Sequence, residues 1–362
     1  VALRTMTEAD IPAVNQLHRD VWWPERSEAG WRWLSENPVR SEVNSPIGMI
    51  IDDQDGHPSA FLGNFTQRFV QGDTVFYGTT GFSVIVPPRL RGATRQLLPY
   101  FTELPGMQVH YTVNANALSS PMYKRYRMHP WPLQTHDLKL SWIINPMSCA
   151  ASRLLRKLVE RNPDMVRWLG EPLMPTHSRL ERKRLGSEVF VVDDLSETSA
   201  YARFWKALRA EGRFMADRSP EILRWRMADP DLTHPFVHLA VVKDGEIVGH
   251  ALALMAKYSS IEPPTLEIID LEALSGHRHA IQTLLQALIR VAGPMGAAKL
   301  RLQTLSPALL EDLGDLGQKA RREGGYGHCH FKFAPGFTGH ETWQPTPFDG
   351  DFSICLRPLP RR

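Results

Sequence analysis

Apolar residues in this chain recur with a helical period in some stretches and alternate in others, and the switches between the two outline its elements. Residues 3–22 read as a short strand followed by a helix. Ile11, Val14 and Leu17 recur at helical spacing behind Thr7-Glu8-Ala9-Asp10, which has the composition of a helix start. A second helix is predicted over 27–33, stopping near Asn37-Pro38. Residues 48–51 read as a strand, Asp55-Gly56 as a tight turn, and 60–63 as the start of the returning strand. Extended patterns follow at 75–86, 109–113 and 138–144, the last expected to close the first sheet. Helices are predicted between them, at about 92–101 and 119–126.

Residues 147–186 are rich in Arg, Leu, Pro and Trp and read as a helical connector. The second half then repeats the order of the first. Arg32-Trp33 with Asn37-Pro38 is echoed by Arg224-Trp225 with Asp229-Pro230, the proline standing five residues after the tryptophan both times. A strand, an Asp-Gly turn (Asp244-Gly245) and a returning strand come next, then a long strand at 266–274, a helix at 280–291 and a strand at 300–305. A divergent duplication is expected, with units at 1–146 and 187–362 joined by 147–186. The fold class is α/β (α+β): two mixed, mainly antiparallel sheets flanked by helices.

Composition narrows the function classes. The chain is 43% hydrophobic and 22% charged, as in ordinary globular proteins. A net charge of +3 suits an acidic small ligand and is too mild for nucleic acid as the main partner. Three cysteines give no disulfide framework and point to a reducing compartment. No apolar run approaches the roughly 20 residues that span a bilayer. The first residues lack a signal-peptide pattern, so a cytoplasmic location is the expectation. Neither a membrane nor nucleic acid is expected as partner, and a homodimer is left open. Among His328-Cys329-His330, neighbouring side chains on an extended segment point apart, so no metal is expected.

The segment richest in chemistry is Val86-Pro87-Pro88-Arg89-Leu90-Arg91-Gly92-Ala93-Thr94-Arg95. A strand ends at two prolines, and a basic loop opens into a helix. The first N–H groups of a helix lack internal partners and carry partial positive charge. Gly92 lets an anion approach the backbone, and Arg89, Arg91 and Arg95 add charge. Such a construction cradles a pyrophosphate. Where the second half would need the same loop it has Ser275-Gly276-His277-Arg278-His279, basic but without the cradle.

The segment resembles the acyl-CoA-binding motif of the GNAT superfamily of N-acetyltransferases, Arg/Gln-x-x-Gly-x-Gly/Ala, with Arg89, Gly92 and Thr94 on its three marked positions. Thr94 departs from the small residue usual there. A second segment is similar to a later motif of that superfamily: Asn116 follows a strand and precedes Tyr123 by seven residues. Arg127-Met128 departs from the Gly-Phe that usually follows. The likeness covers residues 3–145 well and 190–357 through the order of elements only. It implies two tandem acetyltransferase-like domains, the second degenerate, with acetyl-CoA or another acyl-CoA as cosubstrate. It further implies that Val84, Ile85 and Val86 line the pantetheine arm, that Arg89, Arg91, Gly92, Ala93, Thr94 and Arg95 hold the pyrophosphate, and that Asn116 lines the channel. Tyr123 would be the general acid on the thiolate. Ser83 is the candidate for orienting a water, and His110 titrates in a useful range. The acceptor expected is a primary amine of a small molecule. An O-acyltransferase, an aminoacyl-tRNA-dependent peptidyl transferase and a non-catalytic acyl-CoA-binding or scaffold protein are the alternatives.

Overall fold

The computed structural model describes residues 2–159 and 163–358. In chain order its strands are β1 (Ala2–Thr5), β2 (Gly48–Asp52), β3 (Pro58–Gln71), β4 (Thr74–Ile85), β5 (Val109–Thr112), β6 (His129–Pro130), β7 (Leu138–Ile143), β8 (Val189–Val191), β9 (Met215–Ala216), β10 (Val237–Lys243), β11 (Glu246–Ala256), β12 (Thr265–Ala273), β13 (Lys299–Leu302), β14 (Arg321–Gly324) and β15 (His330–Phe333). They form two mixed sheets. The first runs β1-β2-β3-β4-β5-β15-β6, with β9 also pairing β3, and the second runs β14-β7-β13-β12-β11-β10-β8. Each sheet is antiparallel except for one pair, β4 with β5 in the first and β12 with β13 in the second.

The two halves of the chain trade strands. β7, expected to close the first sheet, pairs instead with β13 and β14 of the second. β15, from the end of the chain, fills the gap between β5 and β6. Alternation along a strand fixes which face is buried but carries no record of the partner. β9 adds a third crossing, pairing Met215 and Ala216 with Val70 and Phe69.

Local chemistry explains the flanking helices. Ile11, Val14 and Leu17 bury one face of the helix Ile11–Asp20. Ahead of it Asp10 accepts the Thr7 N–H at 2.8 Å, and Arg4 ties Asp10 to Asp52 across β1 and β2. The helix Glu28–Ser35 is capped by Ser27, whose hydroxyl accepts the Gly30 N–H. In the second half the helix Ala280–Ala292 buries Ile281, Leu284, Leu285, Leu288 and Val291, each worth about 1.5–3 kcal/mol against exposure. Among the described residues no helix is long and apolar enough to cross a membrane.

The helix expected at about 92–101 is broken into shorter pieces. Residues Pro88–Ala93 form a 3-10 turn, Leu90 leaves helical geometry, and short α-helices follow at Thr94–Leu97 and Pro99–Thr102. Pro99 has no N–H to continue the ladder, which accounts for the interruption.

Candidate active site

β4 and β5 run side by side only from Gly78 to Thr80. Further along, β4 carries a bulge. Phe61 pairs Ile85 and Gly63 pairs Phe82, so Ser83 and Val84 together oppose Leu62. Ser83 adopts φ of 50°, and such a bulge bends the strand. Between the two strands lies a cavity of 690 Å³. Ser83, Val84, Val86 and Thr94 line it from β4 and the turn beyond; Asn116, Met122 and Tyr123 line it from the segment after β5.

Not every residue expected at the site reaches the cavity. Ile85 and Ala93 are buried and turn their side chains into the protein. Arg89, Gly92 and Arg95 are exposed on the turn before and around Thr94. Arg89 and Arg95 make no ion pair among the described residues, and the Arg91 side chain lies outside them. A Cβ built on Gly92 would meet nothing within 4 Å. Packing within the protein therefore does not require the glycine.

Asn116 caps the turn that carries Tyr123. Its Oδ1 accepts the N–H groups of Leu118 at 3.0 Å and Ser119 at 2.9 Å, and its side-chain amide has no partner among the described residues. Tyr123 is buried against Phe101 and the His330 ring of β15. Burial, and after it the charge of Asp351, pushes its phenol well above the ordinary value, while the Thr112 and Ser119 hydroxyls work the other way.

Asp351, invisible to the motif reading, stands in the same cavity. It precedes the short helix Phe352–Cys355. Its Oδ1 is buried without a hydrogen-bond partner, and its Oδ2 accepts the Cys355 thiol at 3.4 Å. Burial pushes its carboxyl up to about 6. The segment is fixed by buried arginines. Arg218 bonds Asp349 at 2.8 Å, Arg226 bonds the Phe348 and Gly350 carbonyls, and Arg26 bonds the Ile354 carbonyl at 2.8 Å. A carboxylate in a loop near the end of a chain carries no local pattern, so only the fold reveals it.

Ser83 has an unforeseen partner. His18 Nδ1 lies 2.8 Å from the Val14 carbonyl and must donate there, so Nε2 accepts the Ser83 O–H at 2.9 Å. Burial, aided by Arg357 and Arg26, pushes His18 down to about 4 and keeps it neutral. His110 is not at the site. It contacts the Leu104 carbonyl, and burial pushes it down to about 4 as well.

No family model and no curated protein matches the sequence. Solved structures do match. One is described as a probable N-acyltransferase from Enterococcus faecalis V583 (TM-score 0.52, 11% identity, 92% of this chain and 72% of that one). Another is Saccharomyces cerevisiae N-myristoyltransferase with bound myristoyl-CoA and inhibitors (TM-score 0.53, 10% identity, 97% of this chain and 86% of that one). The chain shares the fold of these structures, the GNAT fold.

The second sheet has a parallel pair as well, β12 with β13, and buried ion pairs stand beside it. β12 has a bulge too, with Ile269 as the additional residue between the Leu252–Asp270 and Ala253–Ile268 pairs. Asp270 is locked to Arg218 at 2.7 Å and to the Thr346 hydroxyl, and Glu272 to Arg213 at 3.1 Å. At the turn Ser275–His277, the Glu211 carboxylate accepts the Ser275 N–H at 2.6 Å. Trp205 and Arg226 are buried, Arg226 donating to the Gln67 side chain at 2.6 Å, and Trp225 stacks on Trp33; none of the three lines the cavity.

Proposed function

We propose that this chain is an acyl-CoA-dependent acyltransferase that moves an acetyl or other short acyl group to a primary amine of a small molecule. The observation that carries this reading is the meeting of Tyr123 and Asp351, from opposite halves of the sequence, in one cleft beside the bulged end of β4. Among the described residues β4 has no strand partner on its β5 side beyond Thr80. Backbone groups at residues 84–86 are therefore available to pair with the pantetheine amides as a strand would. The turn at 91–95 faces the pyrophosphate, with Arg89 and Arg95 adding charge and Gly92 leaving room.

The chemistry follows from the charges. The amine arrives as an ammonium ion, and Asp351 takes its proton. A base with a pKa near 6 works close to neutral pH. The nitrogen lone pair attacks the thioester carbon, the C–S bond breaks, the leaving sulfur takes the Tyr123 proton, and the second proton shed by the acylated nitrogen returns to Tyr123, so that the products are the neutral amide, the free thiol and a protonated Asp351 that discharges to solvent. Tyr123 stays protonated at any working pH, because burial favours the neutral phenol. Ser83 is a positioning residue. Its proton points to His18, so its oxygen lone pairs can accept an N–H from the acceptor.

In this reading residues 1–146 and 187–362 are two copies of one unit, linked by 147–186, each lending a strand to the other. The first copy keeps the cofactor cleft. The second has filled its own and supplies Asp351.

The test is thiol release from acetyl-CoA over an amine panel, beside the affinity for acetyl-CoA. Asp351→Asn should lower kcat by about 10²–10⁴-fold while affinity holds, and Tyr123→Phe should act in the same direction. Undiminished turnover in Asp351→Asn removes the proposed base. Binding without thiol release from any amine would favour a non-catalytic acyl-CoA-binding protein.

A further inference from the structure

We infer that the acceptor is an amino acid, whose amine is addressed by Asp351 and whose carboxylate is held by Arg357. The inference rests on the acyltransferase reading and narrows its acceptor.

Arg357 lines the same cavity and is 8% exposed. Its Nε donates to the Ile354 carbonyl at 3.1 Å and its Nη1 to the Glu25 carbonyl at 2.5 Å. Its Nη2 has no partner among the described residues. The nearest carboxylate, Asp231, stands 3.9 Å from Nη1 and is already shared with Arg26 at 3.6 Å. Burial, with Arg26 close by, pushes the guanidinium down to about 9, while Cys355, Asp229 and Asp231 work the other way. A buried guanidinium with donors to spare gains strongly from an anion.

Asp351 supplies the opposite charge in the same space, its Oδ1 equally without a partner. One unpaired anion and one under-paired cation in a cavity complement a zwitterion. Trp23, Phe352 and Leu356 line the same cavity and are apolar, which suits a carbon skeleton. With Nε and Nη1 already engaged, a single remaining amino group of Arg357 matches one carboxylate. A dianionic phosphate calls for more donors than are left.

The experiment compares matched acceptors on the full chain with acetyl-CoA. Each of the common amino acids is paired with the amine that lacks its carboxylate, and β-alanine is paired with O-phosphoethanolamine. Thiol release is the readout, and calorimetry with acetyl-CoA is run alongside. At least one amino acid should be acylated with kcat/KM ten or more times that of its decarboxylated partner, and Arg357→Gln should narrow that ratio below threefold. The wild-type ratio tests the inference by itself should the variant fail to fold. Equal or better rates for the decarboxylated amines, or for O-phosphoethanolamine over β-alanine, overturn the inference and leave acyl transfer standing. So does acetyl-CoA binding with no amino acid acylated. Absence of acetyl-CoA binding fails the parent reading instead.

Discussion

Trp33 and Trp225 stack with ring centroids 4.4 Å apart and planes within 8°, and each indole N–H donates to the other's backbone carbonyl, at 2.8 and 3.2 Å. These are the two tryptophans that head the repeated Trp–Pro signature. The likeness continues after them. Asn37 Oδ1 accepts the Val39 N–H at 3.0 Å, and Asp229 Oδ1 accepts the Asp231 N–H at 3.1 Å, the same turn built twice. In the proposed duplication, a reciprocal contact of this kind is what two related units make about a local two-fold axis.

The pair should therefore behave as one energetic unit. Trp33→Ala or Trp225→Ala alone should each cost about 3–5 kcal/mol of stability. The double variant should cost less than the sum by about 0.5–3 kcal/mol. Urea unfolding of the four proteins checks it, and strict additivity would mean that the stack is a bystander.

Gly350 controls where Asp351 points. A Cβ at Gly350 would lie 2.3 Å from Val113 Cγ2, and Val113 is fully buried at the end of β5. Gly350→Ala must push the C-terminal segment away from β5 or strain it, at about 1–3 kcal/mol. Turnover should fall more than the acetyl-CoA affinity does, because the displaced group is the base. Kinetics and calorimetry on this variant separate the two effects, and an unchanged kcat would show that the segment's position is irrelevant to the chemistry.

Asp351 should also cost the fold stability at neutral and alkaline pH. Its folded pKa, about 6, lies above the ordinary 3.8, so folding favours the protonated form. That contribution is complete below pH 3.8 and disappears as pH rises through 6. Above pH 6 the charged, buried carboxylate weighs against folding by about 3 kcal/mol. Asp351→Asn should thus raise Tm at pH 8 and change it little at pH 4. Thermal melts at the two pH values decide this, and a lower Tm at pH 8 would mean that the carboxylate is structural rather than poised for proton transfer.

The parts of the cleft legible in the sequence are those in which chemistry and spacing are local. The strand closed by Pro87-Pro88, the basic turn through Gly92, and Asn116 seven residues before Tyr123 all announced themselves, and Val86, Thr94, Asn116 and Tyr123 do share one cavity. What could not be read depends on distant partners. The His18–Ser83 bond needs a bulge that points Ser83 to a helix of the opening segment. Asp351 and Arg357 come from the end of the chain and reach the cleft only because buried arginines pin that segment. The exchange of β7 and β15 escaped for a related reason. Both strands have ordinary patterns, and either sheet would have satisfied them.

The most direct test of the central claim is isothermal titration of the full chain with acetyl-CoA, set beside Gly92→Asp. Gly92 faces open space, so the substitution should leave Tm within a degree or so of the parent while its carboxylate repels the pyrophosphate. Micromolar binding by the parent, lost in a normally folded Gly92→Asp, is the predicted result. A parent that does not bind acetyl-CoA, or a variant that binds it equally well, would contradict a cofactor cleft between β4 and β5.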